Sequence, residues 1–304
     1  MMLLYVLFII PLTLAHSAYG DFGYSRRHQH TWAQEHKACA GKWQSPIALS
    51  SARAVALPLP AVEMIGYHNL LSGPVKLTNN GHSVALSLNK ALSKKRLPFV
   101  FGGMLNKDQD YELEGLHFHW GIKNNRGSEH ILNGIRFPME MHVIHRNMKY
   151  PDLASALQHE DGLTVLGIFF QLQEEENEHL YPILRTLPNI QWINTEAELN
   201  VSITLASLMP RDTEIFYTYR GSLTTPPCSE AVTWILFPTT VPISFRQMNK
   251  FRMLSNGEEV LADNFRRLQD IGNRKVYVRR IEPYFASNVE MIDLNVESLQ
   301  WYWQ

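Results

Sequence analysis

The stretch Leu116-His117-Phe118-His119-Trp120 constrains the fold more than any other in the chain. A β-strand sends successive side chains to opposite faces, so His117 and His119 project together while Phe118 and Trp120 face the other way. Other runs share this character: VKLTNNGHSVALSLN, EMHVIHR, LTVLGIFFQL and EAVTWILFP, punctuated at short intervals by Gly, Pro and Asn. Helical stretches are fewer and are expected around Asp152 to Gln158, Glu176 to Arg185 and Phe245 to Leu254. There is no internal repeat, low-complexity tract or Pro/Gly/Ser-rich linker, so the economical reading is one β-rich domain. After about Arg280 the strand pattern fades, and residues 281–304 read as an appendage.

Composition removes whole classes of function. The 304 residues are 45% hydrophobic and 19% charged, with 28 basic against 29 acidic side chains. That is too apolar for disorder and too balanced for a nucleic-acid binder or a polybasic membrane binder. Met1 to Leu14 is an uncharged apolar run of signal-peptide length, followed by small residues with cleavage expected after Ser17 or Gly20. Residues 1–20 are therefore read as a signal peptide and the product as secreted. Nothing later is long enough to span a bilayer, and the tail ending LQWYWQ lacks the hydrophobic tract of a lipid-anchor signal, so no membrane anchor is expected. The two cysteines, Cys39 and Cys228, would pair in an oxidising compartment; two free buried thiols are the alternative. Closing so long a loop would stabilise the fold by about 5 kcal/mol on the chain-entropy model. Asn200-Val201-Ser202 is a glycosylation sequon, which fits a secreted glycoprotein.

Two imidazoles at the spacing of His117 and His119 can chelate one metal ion, and a neighbouring strand offers a third. In Glu140-Met141-His142-Val143-Ile144, the residues Glu140, His142 and Ile144 share a face, whereas His145 lies off it. Three neutral imidazoles would leave zinc its full charge and an open fourth position. That recipe lowers the pKa of bound water from 15.7 to about 7. Glu140 is then placed to accept a hydrogen bond from a ligand imidazole and fix its orientation. On the residues alone, the third histidine favours a metal without saying which metal or which reaction.

Several motifs carry a resemblance. His117-Phe118-His119-Trp120-Gly121, Gly127-Ser128-Glu129-His130 and Glu140-Met141-His142-Val143 resemble the zinc-site signature of the α-class carbonic anhydrases. Gln44-Ser45-Pro46-Ile47, Asn79-Asn80-Gly81-His82, Gly221-Ser222-Leu223-Thr224-Thr225-Pro226-Pro227 and Asp263-Asn264-Phe265-Arg266 resemble further family motifs, in the family's order. The resemblance runs from about Phe22 to Arg280, giving a catalytic domain at 21–280 and a C-terminal extension at 281–304.

The resemblance implies a single α+β domain around a large, mainly antiparallel twisted β-sheet with short peripheral helices. It implies reversible hydration of carbon dioxide to bicarbonate and a proton by attack of zinc-bound hydroxide. His117, His119 and His142 would hold Zn2+. Thr224 would accept the hydroxide's hydrogen bond and donate its own to Glu129, aiming a lone pair at the substrate carbon. The apolar substrate wall falls on Ile144, Val165, Leu223, Val232 and Trp234, with Thr225 beside it. His82 matches the proton shuttle, and Tyr24 and Asn80 would order the intervening waters. Cys39 and Cys228 match the disulfide of secreted and membrane-bound members, which would brace the Thr224–Thr225 loop. Sulfonamide- and anion-type inhibitors are implied as ligands.

The chain departs from the family pattern at named positions. Gly115 stands where a glutamine usually hydrogen-bonds a ligand imidazole, a loss that typically costs 10- to 100-fold in metal affinity or activity. Ala85 replaces a usually polar pocket residue, Phe22 a common tryptophan, and Arg267 a frequent proline to whose loss no function is attached. His28, His30 and His36 are read as a solvated face, with an accessory proton relay or adventitious metal site as the sharper alternative. Two other functional readings stand beside hydration. One is a binding module on the same fold; the other is a zinc esterase, whereas the lack of an H-E-x-x-H helix disfavours a peptidase.

Overall fold

The computed structural model describes residues 22–71, 74–88 and 96–280; the expected signal peptide and the extension after Arg280 lie outside them. Fourteen strands succeed one another among the described residues. The first seven are β1 (Ala48–Leu49), β2 (Val55–Leu57), β3 (Val62–Ile65), β4 (Val75–Asn79), β5 (Val84–Leu88), β6 (Phe99–Gly102) and β7 (Tyr111–Trp120). The rest are β8 (Ile131–Leu132), β9 (Met139–Asn147), β10 (Leu163–Gln173), β11 (Thr195–Glu198), β12 (Tyr217–Gly221), β13 (Val232–Ser244) and β14 (Tyr277–Arg279). Helices are short and peripheral: α1 (Arg26–Glu35), α2 (Leu153–Ala156), α3 (Tyr181–Thr186) and α4 (Phe245–Phe251). The last is opened by a capping box in which Ser244 and Gln247 satisfy each other's backbone N–H groups.

Twelve strands form one sheet, whose main path runs β11-β4-β5-β7-β9-β10-β13-β12-β14-β2. It is mainly antiparallel, as expected, but β10 and β13 run parallel at its centre and β14 and β2 at its edge. Alternation along the central strands sorts their side chains into two cores. Leu116, Phe118, Trp120, Met141, Val143, Leu166 and Ile168 enter the larger one. Val165, Phe169, Val232, Trp234 and Leu236 enter the other, with Ile144 packed against it. The histidine-bearing face of β7 and β9 belongs to this second side, so the candidate site starts at the edge of a hydrophobic core.

Helix α1 was not foreseen in the sequence. Its side chains are polar and only Trp32 is buried, so it presents no apolar stripe for a periodicity reading to detect. Ser25 caps it by accepting from the His28 N–H. His28 and His30 are exposed on it and His36 is half-buried at its end, in keeping with a solvated face. Asn200 is exposed in the bend after β11, sterically open to a glycan.

Candidate metal centre

Strands β7 and β9 pair antiparallel with His117 directly opposite His142, and β9 pairs with β10 so that Ile144 faces Val165. This register brings the three expected histidines to one point. The Nε2 atoms of His117 and His119 lie 3.0 Å apart. All three residues offer ligand nitrogens lying within 4.8 Å of one another. Burial holds the three rings neutral: it pushes His119 down to about 4, and His117 and His142 below the ordinary histidine value, with neighbouring imidazoles adding to the effect on the latter two. Neutral imidazoles are the form that binds a metal.

Each of two rings is oriented from behind. His142 Nε2 donates to Glu140 Oε1 at 2.7 Å, leaving Nδ1 available to a metal. His119 Nδ1 donates to the Asn264 backbone carbonyl at 2.7 Å, leaving Nε2. Among the described residues no hydrogen bond of this kind stands behind His117, and Gly115 carries no side chain to accept one. Nor is Gly115 merely a glutamine removed: a Cβ there would lie 2.8 Å from the Leu86 carbonyl oxygen of β5. The expected glutamine has no room without a shift of that strand.

Behind the ligands, Glu140 is the centre of a buried chain. Its Oε1 accepts from His142 and from His130 Nδ1, and its Oε2 accepts the His130 backbone N–H. Burial pushes the Glu140 carboxyl up, but His130 and His142 overcome this and hold it well below the usual range. The chain continues from His130 Nε2 to the Tyr219 hydroxyl, which donates to Ser45 Oγ. His130, Tyr219 and Ser45 were given no role from sequence. His130 and Ser45 stood in the quoted motifs, but nothing in their spacing distinguishes a supporting side chain from core.

Glu129 lies beside His119 and His142. Its Oε1 accepts the Arg266 backbone N–H at 2.7 Å. Its Oε2 is buried without a hydrogen-bond partner, 3.5 Å from His119 Nε2 and 3.9 Å from His142 Nδ1. Burial raises the Glu129 carboxyl, while His142, the Arg266 N–H and the Thr224 hydroxyl pull it back. A buried carboxylate oxygen left without a donor is costly. A cation among the three nitrogens, or a hydroxyl group beside it, would relieve that cost. The residues present therefore fit a divalent ion with nitrogen ligands such as zinc.

The flanks are equally defined. Val165, Val232 and Trp234 are buried and Ile144 and Leu223 half-buried, and the Trp234 ring stands edge-on to His142 at 4.8 Å. Thr224 and Thr225 lie on a loop tied down by the disulfide between Cys39 and Cys228, 189 residues apart in sequence. The Cys228 N–H bonds back to the Thr225 carbonyl. Arg266, buried and lowered to about 10, joins Gln44 and the carbonyls of Ser45 and Cys39 beneath the loop. Opposite, His82 is half-buried, its ring stacked on Phe22 at 3.8 Å and edge-on to Tyr24 at 6.4 Å. Asn80 Oδ1 is committed to the N–H groups of His82 and Ser83, fixing the turn that carries His82. Burial and the nearby Glu129 carboxylate push the Tyr24 phenol up, so it stays protonated. His119 and His142 are buried whereas His117 and His82 are partly exposed, so the site opens on the side of the latter pair.

Comparison with known proteins agrees with this geometry. The family model described as eukaryotic-type carbonic anhydrase matches residues 27–280. Carbonic anhydrase 6 of Canis lupus familiaris is 32% identical over 280 residues, which covers 89% of this chain and 84% of the relative. Carbonic anhydrase 7 of Mus musculus is 37% identical over 252 residues, covering 81% and 91%. A putative carbonic anhydrase 3 of Caenorhabditis elegans is 34% identical over 242 residues, covering 78% and 89%.

Proposed function

The chain belongs to the eukaryotic-type carbonic anhydrases, lyases that hydrate carbon dioxide to bicarbonate and a proton, and from that premise we propose a zinc-dependent mechanism with named residues in each role. The observation that carries the proposal is the convergence of three imidazole nitrogens, two of them beside the unpartnered Oε2 of Glu129. His117 and His119 through Nε2, and His142 through Nδ1, would hold the ion. When bound, zinc supplies the Lewis acidity that makes a nucleophilic oxygen available from water near neutral pH.

The chain's own residues do the rest. Glu140 and the Asn264 carbonyl keep His142 and His119 in the tautomers that present the ligand nitrogens inward. Glu129, fixed through the Arg266 N–H, would take the Thr224 hydroxyl's hydrogen on its otherwise unpartnered Oε2, so that hydroxyl could only accept from the attacking oxygen and would turn its lone pair toward the substrate. Ile144, Val165, Leu223, Val232 and Trp234, with Thr225 at their edge, exclude water from one side and leave an apolar seat suited to carbon dioxide. His82 takes the released proton across water ordered by Tyr24 and Asn80, then yields it to buffer. The secreted glycoprotein reading rests on the N-terminal apolar run, the Asn200 sequon and the disulfide. Among the described residues no helix is long and apolar enough to cross a membrane. Sulfonamides and small anions are the expected inhibitors.

Stopped-flow carbon dioxide hydration tests the proposal on zinc-loaded and chelated protein, with zinc content measured alongside. Hydration that disappears with the metal and returns with zinc is expected. One zinc per chain without hydration would contradict it and favour the binding-module reading.

A further inference from the structure

A cleft of about 590 Å³ opens where β1 and β2 meet the chain that leads into β14, and no residue of the candidate metal centre lines it. Three cationic side chains, Arg53, Arg274 and Lys275, face it against one carboxylate, Asp270, which already accepts the Gly272 N–H at 2.9 Å. Arg274 is half-buried and fixed in place. Its Nε donates to the Ile271 carbonyl at 3.0 Å, Nη1 to the Arg220 carbonyl at 3.1 Å and Nη2 to the Asp270 carbonyl at 2.6 Å. All three acceptors are backbone carbonyls, so the guanidinium is oriented without a carboxylate to neutralise it. A guanidinium has five N–H groups, which leaves two for a ligand. Burial pushes Arg274 below its ordinary range, and Tyr219, Glu230 and Asp270 offset only part of this. Arg53 and Lys275 are exposed beside it. The cleft also has an apolar wall, in which Val276 is buried in the second core and Ile271 packs against it. The frame is tied by backbone bonds from Val55 to the Val276 carbonyl and from Arg274 to the Ile271 carbonyl.

We propose that this cleft is a binding site for an organic oxyanion, a carboxylate or phosphate head on a short apolar body, with Arg274 as its anchor. A guanidinium held by carbonyls has its rotamer cost already met, and its free edge makes charge-assisted bonds to two oxygens of one head group. Arg53 and Lys275 add positive potential that draws an anion in and disfavours a cation. Size sets the rest of the ligand. The cleft lies within the range of small-molecule sites and is far larger than an inorganic oxyanion, and its remaining wall is apolar. Three cations, on a chain with a net charge of −1, do not make a track for a polyanion. The site is separate from the metal centre: Arg274 Cζ lies 5.6 Å from the centroid of the Tyr219 ring, whose hydroxyl meets His130. Binding here therefore needs no metal.

The test is calorimetric titration of the full chain with phenyl phosphate, inorganic phosphate and benzyl alcohol. It is run on zinc-loaded protein saturated with a sulfonamide and on chelated protein, so that an anion on the metal cannot produce the signal. Phenyl phosphate is expected to bind one site per chain with the same affinity in both samples. Inorganic phosphate, lacking the apolar body, should bind about 10-fold more weakly, and benzyl alcohol, lacking the charge, should show no saturable binding. Arg274→Gln should weaken phenyl phosphate about 10-fold or more. Because that change also removes bonds to backbone, Arg53→Glu provides the second variant: it reverses an exposed charge, should leave thermal unfolding unchanged, and should weaken binding about 3- to 10-fold, less so in high salt. Saturable binding of phenyl phosphate that is unchanged in both variants would overturn the assignment, as would its absence from the parent chain. Equal affinity for inorganic and phenyl phosphate would overturn the organic part of it.

Discussion

His142 and His82 carry the same ring in opposite settings, and the difference matches the two roles proposed for them. His142 sits in mid-strand on β9, 1% exposed, with one ring nitrogen fixed by Glu140 and the Trp234 indole packed at a steep angle to its ring. His82 sits in the turn between β4 and β5, half-buried, its ring resting on Phe22. A ligand must stay neutral, oriented and still, which registered strands and buried hydrogen bonds provide. A proton carrier must change charge and reach solvent, which a turn at the site's open side allows. The histidine cluster is thus a product of the sheet, and the setting of the His82 ring a product of an N-terminal arm laid across it.

The sharpest way to break this contrast is to remove one ligand from the sheet. His142→Ala should abolish hydration by several orders of magnitude and lower zinc retention, read by metal content after dialysis. Acid should next distinguish the interior from the exit. His145, fully buried with Nε2 2.7 Å from the Tyr67 hydroxyl, has its pKa pushed down to about 3 by burial. Its folded value lies below the unfolded one, so the unfolded chain binds the proton first. The cost is absent above about pH 6.5 and grows as pH falls toward 3. Urea unfolding should show a loss on the order of 3 kcal/mol between pH 7 and 4.5, with a shallower slope in His145→Gln.

The convergence of the three histidines was legible in sequence because a strand's period of two is visible in the residues themselves. Leu116 to Trp120 and Glu140 to Ile144 each sort their side chains onto two faces, and the structure sends them where alternation does. What was not legible is what backbone supplies. The Asn264 carbonyl that orients His119 and the Arg267 N–H that docks α1 leave no trace in side-chain chemistry. Helix α1 buries only Trp32 and so gave no periodic signal. From sequence Gly115 is only a missing side chain, whereas the closeness of the Leu86 carbonyl makes it also a packing requirement.

Two smaller changes sharpen the contrast on the cradle's side. Glu140→Gln keeps the shape but weakens the acceptor for two imidazoles, and should cost about 10- to 100-fold in zinc affinity or kcat/KM. Competition with a chelator reads the first and stopped flow the second. Gly115→Gln should destabilise the fold by about 1–3 kcal/mol through overpacking against β5. It should bring no gain in zinc affinity, measured by thermal unfolding and the same competition.

The cradle's identity rests on which atoms hold the ion. A second buried group, His130, Glu140 and His142, also clusters closely enough to ligate. Its members are already hydrogen-bonded to one another at 2.7 Å and all are buried, which suits support better than exchangeable coordination. X-ray absorption of the zinc-loaded chain distinguishes the two most directly. The account predicts three imidazole nitrogens at about 2.0–2.1 Å with one further light atom, a signal lost in His117→Ala. A site with only two imidazoles and a protein carboxylate, unchanged in His117→Ala, would contradict it.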